Sequence, residues 1–99
     1  MQGWYVETFE REMGCTAAEL VRWLPGASGG RAIELRADAA LISIGDGQLR
    51  LTWKTMPPRQ IALLRLPRLA VCFSFEKVDA DLRQQVMRFF DLFTQRGGG

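Results

Sequence analysis

The sequence predicts an α+β fold: a two-layer sandwich in the order β-α-β-β-β-β-α, with a mostly antiparallel sheet and both helices on one of its faces. Three observations carry that expectation. Apolar and polar residues alternate with period two through most of the segment from Ile33 to Phe75, as half-buried strands require. Two stretches, "CTAAELVRWL" and "DADLRQQVMRFFDLF", carry helix-start signals and a helical period instead. And 99 residues, 47% hydrophobic and 24% charged, make one ordinary globular domain without room for a second core. Residues 1–96 read as that domain and Gly97–Gly99 as a flexible tail.

Trp4 to Glu12 reads as the first strand. Trp4, Val6 and Thr8 alternate with Tyr5, Glu7 and Phe9; both sets contain aromatics, so the pattern does not choose an inward face. A helix start follows. Thr16 as N-cap with Glu19 three residues on forms a capping box, and Cys15 is placed to staple onto Leu20. Leu20, Trp23 and Leu24 make the buried stripe, and Pro25-Gly26 is expected to end the helix. At about two turns, it depends on packing for its stability.

The meander yields to register arithmetic. Asp46-Gly47 is a strong two-residue hairpin signal. A turn there pairs Ile44 with Leu49, Ile42 with Leu51 and Ala40 with Trp53, all on one face. A turn at Ala37-Asp38 pairs Leu35 with Ala40 and Ile33 with Ile42, again on that face. A turn at Pro67-Arg68 sets Leu64 opposite Val71 and Ala62 opposite Phe73, and a loop around Met56-Pro57-Pro58 joins the two hairpins if Leu51 faces Leu64. The alternative is a single bent strand from Gln60 to Phe75, with Pro67 at an edge or bulge. The expected core face holds Ile33, Leu35, Ile42, Ile44, Leu49, Leu51, Trp53, Leu64, Leu66, Leu69, Val71, Phe73 and Phe75.

In the final helix Asp79 is the expected N-cap and Asp81 favours the positive helix end. Leu82, Val86, Phe89, Phe90 and Phe93 form its apolar stripe. This order of elements resembles the TATA-binding-protein-like and helix-grip folds in topology, which implies a fold and no particular activity.

Composition narrows the chemistry. The chain has no histidine, hence no usual general base, metal ligand or physiological-pH switch. Cys15 and Cys72 form no C-x-x-C pair and read as reduced, mostly buried thiols. "GDG" reads as a turn, and "GASGG" follows a helix, the wrong place for a phosphate cradle. No catalytic residue, cofactor or metal is expected. No apolar run approaches a membrane span and the start lacks the features of a signal peptide, so a cytoplasmic protein without membrane contact is the expectation.

Charge is segregated along the chain. From Gln48 to Phe75 there are five positive residues and no negative one, whereas residues 1–46 hold seven acids and four bases. In the expected register the face away from the helices collects Arg50, Thr52, Lys54, Ile61, Leu63, Arg65, Ala70, Cys72 and Ser74, with Leu41 and Ser43 beside them. Leu41, Ile61 and Leu63 there suggest an exposed apolar patch of the kind that meets a partner. The candidate interface is therefore Arg50, Thr52, Lys54, Ile61, Leu63, Arg65 and Leu41, and the expected partner is a second copy in a homodimer, with arginines on the rim. Two alternatives use the same face: a nucleic-acid-binding module contacting phosphates, and a binder of a small amphiphilic anion. Stacking on bases needs aromatics beside the cations, and only Trp4 or Tyr5 is placed to supply them.

Overall fold

Seven elements account for most of residues 5–95, which the computed structural model describes; Trp4, Arg96 and the glycine tail lie outside the described residues. They are β1 (Thr8–Met13), α1 (Ala17–Ala27), β2 (Ile33–Arg36), β3 (Ala39–Ile44), β4 (Gly47–Ile61), β5 (Leu64–Glu76) and α2 (Ala80–Gln95). The five strands form one antiparallel sheet in the order β1-β5-β4-β3-β2. Both helices pack on one face of it, making the expected two-layer α+β sandwich.

The helices form where their start signals lie. Thr16 Oγ1 accepts from the Glu19 N–H at 3.1 Å while Glu19 Oε1 accepts from the Thr16 N–H at 2.9 Å, closing the capping box. α1 passes Pro25 and ends at Ala27 rather than stopping at the proline. Proline removes only the donor that would reach back to Val21, and the helix ends within the same turn, where the Ser28 N–H still reaches Leu24 O at 2.9 Å. At the other helix, Asp79 Oδ1 accepts from the Leu82 N–H at 2.8 Å as an N-cap should. Its inward stripe is Val86, Met87 and Phe90; Phe89, expected inside, is half exposed, and Met87 takes the inward position instead.

The sheet keeps the expected phase through its first three hairpin strands. Ile33 pairs with Ile42 and Leu35 with Ala40, as the turn at Ala37-Asp38 requires. The next turn is Gly45-Asp46 rather than Asp46-Gly47, so Ile44 meets Gly47 and Ile42 meets Leu49. Gly45 takes the positive φ of 57° at the first turn position, where a type II′ turn wants glycine. Gly47 is needed inside the strand: a Cβ there would sit 2.1 Å from Glu76 O and 2.4 Å from Lys77 O. A shift of two residues leaves each side chain on its face. Ile42, Ile44, Leu49, Leu51, Trp53, Leu69, Val71, Phe73 and Phe75 are all buried under the helices.

Beyond Trp53 the sheet departs from expectation. Neither the loop at Met56-Pro57-Pro58 nor the turn at Pro67-Arg68 exists. β4 runs on for 15 residues and β5 for 13, and they turn at Ala62-Leu63. Between Met56 and Arg59 the register slips, with Met56 opposite Arg68 and Arg59 opposite Leu66. The two prolines thus occupy a β-bulge, where a strand tolerates a missing N–H. β5 passes Pro67 unbroken, as the single-strand alternative required. Leu64 and Leu66 therefore share the side of Arg68, Ala70 and Cys72, away from the helices, and are not core residues. Leu35 is also exposed, at the short edge strand β2.

Candidate interaction surface

The side of the sheet without helices is built from alternate residues of all five strands. Its rows run Leu41–Arg50–Ser74–Thr8, then Ala39–Thr52–Cys72–Glu10, then Lys54–Ala70–Glu12. β1 faces the core with Phe9, Arg11 and Met13 and turns Thr8, Glu10 and Glu12 outward, which the sequence pattern left open. Those acids matter. Arg68 forks onto Glu12, with Nε to Oε2 at 2.9 Å and Nη2 to Oε1 at 3.0 Å, and Arg59 Nη2 approaches the same carboxylate at 3.4 Å. Hydrogen bonds from Arg68 hold the Glu12 carboxyl below its usual range. Glu34 pairs with Arg36 at 2.7 Å, and Glu76 accepts from Gln48 at 2.8 Å. The segment that is all-basic in sequence is thus of mixed charge in space.

Near the middle of this face the side chains are small. Ala70, Cys72 and Thr52, flanked by the longer Glu10 and Lys54, leave a shallow depression of ≈ 330 Å³. It exists because β5 and β4 place short residues side by side where their neighbours are long.

The second feature is the far end of β4 and β5. β1 covers β5 only as far as Leu69, and β3 covers β4 only as far as Thr52. Past those points the two strands form a free-standing hairpin arm. Ile61, Leu64 and Leu66 lie on the open side of the arm and Leu63 at its tip, 51%, 61%, 40% and 97% exposed respectively. Ala62 holds the turn with φ 53°, a conformation that costs a residue with a Cβ about 1–2 kcal/mol. Pro57, Pro58 and Pro67 lie in the arm, where missing N–H groups blunt an exposed strand edge. A partner is therefore met by the arm's face rather than by its backbone edge.

The structure divides the seven predicted residues. Arg50, Thr52, Lys54 and Leu41 are together on the open face. Ile61 and Leu63 are at the arm's end, roughly 35 Å from Leu41 at ~3.3 Å per strand residue, so the three do not form one patch. Arg65 pairs with Gln60 and points to the opposite side of the arm from Leu64 and Leu66, a correction forced by the unbroken β5. Leu64, Leu66, Arg59, Arg68, Glu10 and Glu12 were missed. Carrying the alternation of Ala70 and Cys72 backward through Pro67 finds the two leucines; the acids come from a strand distant in sequence.

Under the sheet, polar groups are structural. Tyr5 OH donates to Asp91 Oδ2 at 2.5 Å and Arg11 Nη1 donates to Asp91 Oδ1 at 2.6 Å, tying β1 and the segment before it to α2. The Arg11 guanidinium stands 5.2 Å from the centre of the Phe73 ring. Arg83 bridges Tyr5 O at 3.0 Å and Val78 O at 2.9 Å. Burial, with Glu19 adding to it, pushes the Cys15 thiol up to about 11, so it is protonated at neutral pH. Among the described residues no three metal-ligating side chains converge, and no helix is long and apolar enough to cross a membrane. No protein-family model, curated protein or solved structure matches this chain.

Proposed function

We propose that this is a small non-catalytic binding domain that associates with a second copy of itself through the open side of its sheet. One observation carries the reading: the hairpin arm presents Ile61, Leu63, Leu64 and Leu66 to solvent together. A contiguous apolar surface of this kind, on the order of a few hundred Å², marks an interaction site far more often than a scattered exposed leucine does. The mixed charge of the open face as a whole argues in the same direction. Phosphate backbones and small anions are best held by unopposed cations, whereas here Glu10, Glu12, Glu34 and Glu76 share the face with Arg50, Lys54, Arg59 and Arg68. Trp53, Phe73 and Phe75 are buried, which leaves bases nothing to stack on across the described sheet face.

Sedimentation velocity at high micromolar concentration tests this. A dimer is expected for the native chain, and a monomer with an unchanged melting temperature for Leu63→Asp combined with Leu64→Asp, since neither leucine contributes to the core. A native chain that sediments as a monomer overturns the reading.

A further inference from the structure

The arm's apolar end is too small to hold a partner alone. Its few hundred Å² is about half of the ~800 Å² that one partner contributes to a standard interface. The same side of the same sheet, however, also carries the ≈ 330 Å³ depression among Thr52, Ala70 and Cys72. Leu64 and the depression lie on one strand, six to eight residues and so roughly 20–25 Å apart. A protrusion and a hollow at a fixed separation on one face are what a two-fold axis needs, because each copy then supplies both halves of two identical contacts.

We propose that two copies stack open side to open side, antiparallel, with the aliphatic arm end of each seated in the Thr52–Ala70–Cys72 depression of the other. The inference rests on the self-association reading and specifies its geometry. The axis falls between Leu66 and Arg68, and the contact area doubles relative to a single tip. Charge fits as well. Within each copy Arg59 and Arg68 are already engaged by Glu12, so the strip of the open face that the axis crosses carries no unopposed cluster of cations. Arg65, which would repel the partner's cations if it shared the open side, projects from the far side of the arm. Edge-to-edge pairing along the arm is disfavoured by Pro57, Pro58 and Pro67, whereas stacked sheets need no backbone donors.

The native Cys72 reports the contact directly. In Leu63→Cys, mild oxidation with diamide should link position 63 of one copy to Cys72 of the partner subunit, mapped by non-reducing peptide mass analysis, and Leu63→Cys with Cys72→Ser should give no such link. Filling the depression by Ala70→Phe should raise the dimer dissociation constant at least tenfold while circular dichroism stays native. If the native chain is a dimer but the introduced thiol links only to its own symmetry mate, or Ala70→Phe leaves the constant unchanged, the stacked arrangement is wrong and self-association stands. If the native chain is a monomer, both fail.

Discussion

Tyr5 is the one tyrosine in the chain, so its titration can be read without interference. Its hydroxyl is donated to the Asp91 carboxylate, and that bond, followed by burial, raises its pKa above the ordinary 10.0. The folded state thus holds the phenol proton more tightly than the unfolded chain does. The resulting stability is fully present below pH 10 and is lost as pH rises past it through the folded-state value. Phenolate absorbance should therefore appear at higher pH in the native protein than in denaturant, and Tyr5→Phe should flatten the alkaline decline in stability. A native midpoint at or below that of the denatured chain would contradict the geometry. Arg11, on the same carboxylate, is opposed by burial, yet its bonds to Asp91 outweigh this and its pKa is raised.

At the scale of elements, local chemistry was readable where it depended on neighbours in sequence. The capping box at Thr16 and Glu19 follows from a three-residue spacing, and Thr16→Ala should cost about 1 kcal/mol in thermal or urea unfolding. A loss below a few tenths would mean that packing alone holds α1. The pairing of Ile33 with Ile42 follows from one turn and one alternation. The turn lies one residue earlier than expected, at Gly45-Asp46, and shifts the pairing by two; the close approach of the Glu76 and Lys77 carbonyls to Gly47 is a contact with the end of β5 and the residue after it, invisible from the turn itself. The arm was misread for a related reason. Proline usually interrupts a strand, and only the pairing of Met56 with Arg68 and Arg59 with Leu66 shows that Pro57-Pro58 bulges and Pro67 is passed over. The bulge sets Arg59 and Ile61 outward on β4, and the unbroken alternation of β5 through Pro67 sets Leu64 and Leu66 outward and Arg65 across.

For the molecule as a whole, the layered architecture was legible, since it needs only the order of elements and one apolar phase. The candidate surface was legible in part. Arg50, Thr52 and Lys54 follow from that phase, but the carboxylates of Glu10 and Glu12 that share their rows arrive on β1, some forty residues earlier in the chain. β1 also differs from the other strands in another respect. Every seam from β2 to β5 joins consecutive strands through a short turn, while β1 meets β5 across more than fifty intervening residues. Closing so long a loop is slow and entropically costly, so the meander is expected to assemble first and β1 to dock last. Amide hydrogen exchange should show Thr8–Met13 opening at lower free energy than the central pairs of β4 and β5; equal protection would rule this out. Because β1 is the outer neighbour of β5 and the carrier of Glu12, its transient release would bare a fresh strand border and free Arg59 and Arg68 from Glu12 together, so the seating of one edge strand would set how firmly the arm is moored.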